Sequence, residues 1–164
     1  MPRQSKYNKE EKDNVKSYQY KAAIYIRLSV EDGDKEESNS ITNQRMLLNQ
    51  FLKDNSDIEV YDYYTDDGFS GTTFNRPGFE KLLEDLYEKK FNTVIVKDLS
   101  RLGRNYIEVG NYIEKVFPLY NIRFIAVNDQ IDSIKNPESV NSIIVPFKNL
   151  INDEYCRDIS NKIK

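Results

Sequence analysis

Four short blocks of this sequence have the character of β-strands, and each is followed by a segment whose apolar residues recur at helical spacing. In "KAAIYIRLS" (21–29), Ile24, Ile26 and Leu28 fall on one face and Tyr25, Arg27 and Ser29 on the other, because successive strand side chains point to opposite sides. "IEVYDYYTD" (58–66) alternates in the same way. "FNTVIVKDLS" (91–100) holds a short buried run from Thr93 to Lys97, and "IRFIAVND" (122–129) supplies a fourth strand.

The intervening segments read as helices. "SITNQRMLLNQFLKDN" (40–55) gathers Ile41, Leu47, Leu48, Phe51 and Leu52 largely on one face, with Ser40 as the expected N-cap. "RPGFEKLLEDLYEKK" (76–90) has a proline in its first turn and repeats Phe79, Leu82, Leu83, Leu86 and Tyr87. "NYIEVGNYIEKVFPLYN" (105–121) turns Ile113, Val116 and Phe117 inward and ends at Pro118. The stretch 136–164 is helical to its end. Pro146 has no N–H, so a short turn before it and a long helix after it are expected. Strand alternating with helix predicts an α/β domain: a mostly parallel sheet of four to five strands with helices packed on it.

The chain divides accordingly. Residues 1–20 carry charge but almost no aliphatic side chain and no periodicity, and read as a flexible polar tail. Residues 21–145 form the α/β body, and 146–164 begin the long last helix. No stretch has the form of a signal peptide or approaches the roughly 18 apolar residues that span a bilayer. A soluble, cytoplasmic protein is expected, with no membrane partner. The acidic run "EDGDKEES" (31–38) reads as a solvated connection. Phe147, Leu150, Ile151, Ile159 and Ile163 give the last helix more apolar surface than a terminal helix needs. Two destinations fit them: the core of the monomer, or a dimer interface.

Composition narrows the chemistry. Histidine is absent and Cys156 is the single cysteine, which removes Ser-His-Asp and Cys-His catalysis, Cys/His zinc sites and an internal disulfide. Lys and Arg number 24 against 27 Asp and Glu, a net charge of −3, so a polyanion would be met through a local arginine site. Neither GxxxxGK[ST] nor GxGxxG occurs, and Gly71 and Gly103 read as backbone-geometry glycines, so no nucleotide cofactor is expected.

Such a site is visible once the strands are aligned. Ligands of open α/β sheets sit beyond the carboxyl ends of the strands. Arg27 and Ser29 end the first strand, Asp66 and Asp67 follow the second, Arg76 stands on the junction after them, and Arg101 and Arg104 follow the third. Four of the eight arginines in the chain are therefore expected at one rim. Arginine stays protonated and its planar fork matches phosphate oxygens. A cluster of them can stabilise a phosphoryl-transfer transition state without a metal. Its positive field would also favour loss of the Ser29 proton.

"YIRLS", "NQ" at 43–44, "DDGFSG…NRPGF" and "VKDLSRLGRN", in this order and spacing, resemble the serine recombinase family: resolvases, invertases and, more closely, the large serine recombinases of mobile elements. The likeness runs from about Lys21 to Lys164. It implies a resolvase-like fold with helices on both faces of the sheet, and a DNA recombinase that works without metal or ATP. Ser29 matches the nucleophile that becomes a 5′-phosphoserine. Arg27, Arg101 and Arg104 match the phosphate-binding, activating arginines, Arg76 a further one, and all four are the implied DNA contacts. Tyr25 matches the aromatic residue of the first motif, Gln44 a polar residue near the nucleophile, and Asp66 the acidic residue after strand two. The first strand is therefore expected to aim Tyr25, Arg27 and Ser29 at a scissile phosphate. The last helix matches the one through which family dimers assemble to tetramers, and Asp153 or Glu154 matches its acidic residue. One position departs. Ser100 stands where resolvases usually carry aspartate, with Asp98 two residues away.

Competing readings stand beside these: Tyr25 as simple packing, Gln44 as a surface helix residue, Asp66 as a loop residue orienting backbone amides. For the whole chain the rivals are a Ser/Arg phosphoesterase or nuclease, and a non-catalytic oligomerisation module. Sequence-specific DNA reading is expected from C-terminal domains that this chain does not contain.

Overall fold

The computed structural model describes residues 17–28, 40–68 and 75–163, without the side chains at 147, 148, 150, 151, 154 and 155. Ser29, Gly71, the run 31–38 and most of the 1–20 segment lie outside the described residues. Strand β1 (Tyr20–Leu28) leads through α1 (Ile41–Asp54) to β2 (Ile58–Asp67), then α2 (Pro77–Tyr87) and β3 (Thr93–Val96). The one-turn helix α3 (Leu99–Leu102) follows. Next come α4 (Tyr106–Asn111), a π-helical turn (Tyr112–Val116) and α5 (Phe117–Leu119). Strands β4 (Arg123–Ala126) and β5 (Ile131–Asp132) precede α6 (Pro137–Ile163).

The sheet order is β2-β1-β3-β4-β5, with β1 to β4 parallel and β5 antiparallel to β4. The expected five-strand, mostly parallel sheet is therefore present. One face carries Ala22, Ile24, Ile26, Ile95 and Ile125 under Leu48 of α1. The other carries Ala23, Tyr25, Val94, Val96 and Phe124 under Phe79, Leu82 and Leu86 of α2, Val109, Ile113 and Phe117, and Ile144 of α6.

A bulge decides which residues of β2 reach the site. The β1–β2 register slips between Ala22 and Ala23, so Ala22 faces Val60 but Ala23 faces Asp62. An extra residue in one strand inverts side-chain parity beyond it. Ile58 and Val60 therefore pack on the α1 side, whereas Tyr64 packs with the α2 side. Asp66 has the parity of Tyr64 and is buried opposite Arg27.

Two proline expectations are revised. The last helix does not start at Pro146: it starts at Pro137, whose missing N–H costs nothing in a first turn, and runs through Pro146 to Ile163. The 105–121 helix does not stop at Pro118 but runs on to Leu119. The Phe117 N–H donates to the Tyr112 carbonyl, five residues back, and this wide turn precedes the proline that has no N–H to give. The start of α6 docks on the core through Val140, Ile143 and Ile144, while Val145, Ile159 and Ile163 further along are exposed. Among the described residues, no helix is long and apolar enough to cross a membrane.

Candidate active site

β3 pairs with β1 from Ala22 only as far as Ile24, so the far end of β1 is open on that side, and α3 turns over it. Arg27, wholly buried, holds this turn down. Its Nη2 donates to the Ser100 carbonyl at 2.7 Å and its Nε to the Arg101 carbonyl at 3.3 Å. Carbonyls at the end of a helix lack intrahelical donors, and a planar guanidinium can serve two of them at once. Arg101 returns the contact: its Nη1 donates to the Arg27 carbonyl at 2.9 Å, which Gln44 Nε2 also reaches at 3.1 Å. Gln44 is buried, so the surface-residue reading fails for it.

A second network lies behind the first. The Tyr25 hydroxyl donates to Asp66 Oδ2 at 2.8 Å and accepts from Arg76 Nη1 at 2.8 Å. Arg76 Nη2 donates to the Leu102 carbonyl at 2.6 Å. Asp66 accepts from the Gly78 and Phe79 N–H groups at 2.8 and 2.9 Å. It thus caps α2 from a neighbouring strand, since Arg76 at the N-cap position offers no acceptor. The loop reading of Asp66 gives way to a strand-end residue, though the amide contacts it foresaw are real. Gly78 is required for the approach: a Cβ there would stand 2.8 Å from both Asp66 Oδ2 and the Thr65 carbonyl. The Tyr25 ring meets Phe79 edge-on at 5.5 Å, and the Arg76 guanidinium lies over both rings.

Electrostatics follows from this burial. The Tyr25 phenol is pushed far above its ordinary range by burial, which Asp66 reinforces and Arg76 opposes, so it stays protonated and donates. Burial also lowers the Arg76 guanidinium, with Tyr25 and Asp66 acting to hold its proton.

The described residues therefore unite Arg27, Gln44 and Arg101 in one network and Tyr25, Asp66 and Arg76 in a second, deeper one. Tyr25 ends inside the protein and does not reach the rim, contrary to the expectation that it faces the substrate. Arg76 is 1% exposed. Arg104 is exposed and lines an apolar cleft of about 310 Å3 with Ser100, Gly103 and Tyr106. Asp129 was missed. It lies just past β4, and its Oδ2 accepts from the Leu99 N–H at 2.6 Å. Its signal in the sequence is its place at the carboxyl end of the fourth strand. Among the described residues, no group of His, Cys, Asp and Glu could hold a metal ion.

The domain is thus an α/β sheet with arginines braced at its carboxyl rim. The family model "Resolvase, N terminal domain" matches residues 22–164. The chain belongs to this family and is a serine recombinase catalytic domain. It is similar to the N-terminal catalytic domain of TP901-1 integrase, with 31% identity and a TM-score of 0.68, covering 85% of this chain and 98% of that one. A serine recombinase from Sulfolobus solfataricus shares 25% identity, with a TM-score of 0.51 over 87% of this chain and 97% of its own. A resolvase family site-specific recombinase from Streptococcus pneumoniae has the same fold, with 24% identity, a TM-score of 0.67 and coverage of 87% and 95%.

Proposed function

We propose that this domain cuts and rejoins DNA by transesterification, with Ser29 as nucleophile and a covalent 5′-phosphoserine as intermediate. The observation that carries the reading is the mutual bracing of Arg27 and Arg101 across the end of β1, through the Ser100, Arg101 and Arg27 carbonyls. It fixes two guanidinium groups, one from β1 and one from α3, at the end of the strand that leads to Ser29. Fixed cations at a phosphoryl centre stabilise developing charge without reorganising during the reaction. Arg104 contacts the DNA from the cleft. Tyr25, Asp66 and Arg76 act from behind as positioning residues, keeping α2, β1 and α3 in register. The reaction exchanges one phosphoester for another, so bond energy is kept in the phosphoserine and no nucleotide is needed. A hydrolytic phosphoesterase has no observation that favours it over this reading.

The test uses the protein at its full natural length with a nicked crossover-site DNA, which traps the cut state. A covalent adduct on a denaturing gel, mapped to Ser29 by peptide mass spectrometry and lost in Ser29→Ala, is the expected result. Cleavage that leaves no adduct would overturn it in favour of a nuclease.

The exposed half of α6 is the assembly surface in this reading. Ile159 and Ile163, four residues apart, share a helix face, and Ile163 is 79% exposed. Homodimers form along this face and pair into tetramers. Ile159→Glu with Ile163→Glu is expected to leave a monomer in sedimentation equilibrium; an unchanged oligomer would move the interface elsewhere.

A further inference from the structure

The end of the sheet away from the arginine rim carries a cleft of its own, of about 340 Å3, where β1 and β3 begin. Lys21 and Asn92 lace the two strands together there. The Lys21 N–H donates to Asn92 Oδ1 at 2.8 Å, and the Asn92 N–H to the Lys21 carbonyl at 3.0 Å. Two helix ends form the walls, and they close in the same way. After α2, the Lys89 and Lys90 N–H groups donate to the Leu86 and Asp85 carbonyls. After α5, the Asn121 and Ile122 N–H groups donate to the Pro118 and Phe117 carbonyls. Each turn needs one residue in the left-handed region, and these are Lys89 at φ 57° and Asn121 at φ 55°.

Lysine is the unexpected occupant of such a turn. Glycine takes the position at least cost and asparagine is tolerated, whereas a lysine backbone is strained there. Strain held in place raises the question of what the side chain does. Lys89 is exposed and lines the cleft with Lys21 and Lys90. The carboxylates of this corner are engaged by Lys90, whose Nζ meets Asp85 and Glu88 at 2.9 Å each. Among the described residues, neither Lys21 nor Lys89 has a carboxylate partner. Leu86 and Phe91 give the cleft an apolar floor.

Two ammonium groups beside an apolar floor match the DNA backbone, whose phosphates accept point charges and whose sugars present carbon. Serine recombinases act on DNA, which brings that polymer to the domain. Lys21 lies six residues before Arg27 on β1, roughly 20 Å away at about 3.3 Å per residue. The cleft therefore faces a different stretch of DNA from the one at the rim. We propose that it is a second, sequence-independent DNA contact, in which Lys21 and Lys89 hold a backbone phosphate of a separate DNA segment. This rests on the DNA-acting reading given above, though not on the chemistry at Ser29.

The test saturates the full natural-length protein with unlabelled crossover-site duplex and follows capture of a labelled duplex that lacks the site. The wild type should bind the second duplex. Lys21→Gln combined with Lys89→Gly should weaken that capture about tenfold and reduce the slope of log affinity against log salt by about 2, with the first duplex bound as before. Lys89→Gly alone relieves the backbone, so its urea midpoint should equal or exceed that of the wild type. No capture by the wild type, or equal capture by the double variant, would overturn the proposal. So would a lower midpoint for Lys89→Gly, since the lysine would then serve the fold. Polyglutamate or inorganic phosphate binding at these lysines where duplex does not would also overturn it, in favour of an acidic protein partner or a small anion. The Ser29 adduct on nicked DNA, measured alongside, is expected from both proteins. Its absence in the wild type would sink the cut-and-rejoin reading, while second-duplex capture lost with the lysines would still establish the contact.

Discussion

Arg123 and Arg27 are both buried on strands of one sheet, at opposite ends of it, and they are held by different chemistry. Arg123 opens β4 and forks onto Asp132, with Nε to Oδ1 at 3.0 Å and Nη2 to Oδ2 at 2.6 Å. Its guanidinium lies 4.3 Å from the Tyr20 ring centroid. Burial opposes ionisation of Asp132, but Arg123 and the Lys135 and Ile134 N–H groups more than offset it and hold the carboxyl below its ordinary range. Charge is cancelled where it stands. Arg27 instead leans on two carbonyls. These carbonyls orient the guanidinium at the end of β1. One guanidinium forks onto a carboxylate and the other donates to the carbonyls of a neighbouring turn.

The largest effect expected from this contrast is on activity. Arg27→Lys keeps the charge but not the planar fork. It should reduce adduct formation on nicked DNA about 100- to 1,000-fold per folded molecule, the scale for losing one preorganised donor. Adduct formation within about threefold of wild type would break the comparison. Arg123→Met is the opposite case. It leaves the Asp132 carboxylate without its guanidinium, and urea unfolding should report a loss of about 3 kcal/mol. Cleavage per folded molecule should stay unchanged. A variant of normal stability and lost activity would place Arg123 in the wrong category.

Much of this was legible beforehand. Strand and helix periods gave the order of the main elements, and the carboxyl-end rule brought Arg27 and Arg101 together from distant segments, while Arg76 sits in the deeper network. What was not legible arises where tertiary geometry overrides local pattern. Ile58, Val60, Tyr64 and Asp66 share one parity in the sequence, yet the bulge opposite Ala22 and Ala23 sends the first two to one face and Tyr64 to the other. Nothing in "IEVYDYY" marks that slip. The alternation of Tyr25, Arg27 and Ser29 suggested three groups aimed at a substrate. Depth along a strand is not encoded in parity, and Tyr25 proves to be a buried link between Asp66 and Arg76. Pro146 suggested a boundary because its cost is local. A helix anchored by Val140, Ile143 and Ile144 carries the missing bond.

The smallest effect sharpens the contrast from the carboxylate side. Asp85 on α2 is buried without an arginine. It accepts from the Tyr64 hydroxyl at 2.6 Å and from Lys90 Nζ at 2.9 Å, with Lys81 Nζ at 3.3 Å. Burial pushes its carboxyl up, but the Tyr64 hydroxyl and the two lysines outweigh it and bring the pKa from 3.8 down to about 2. Because the folded value is the lower one, the unfolded chain binds the proton more readily. The stabilisation is therefore complete above about pH 4 and is lost as pH falls toward 2. Asp85→Asn should be less stable than wild type near neutrality, and its urea midpoint should fall less steeply between about pH 4 and about pH 2.5. Tyr64→Phe removes one donor and raises the folded value, so the loss should be smaller and should be complete at a higher pH. Cleavage should not respond to either, since this carboxylate lies near the C-terminal end of α2 and the N–H groups that Asp66 caps lie at its N-terminal end. Parallel pH profiles for wild type and Asp85→Asn would mean that the lysines solvate this carboxylate no better than water does, and that a buried acid in this fold needs a guanidinium to be held.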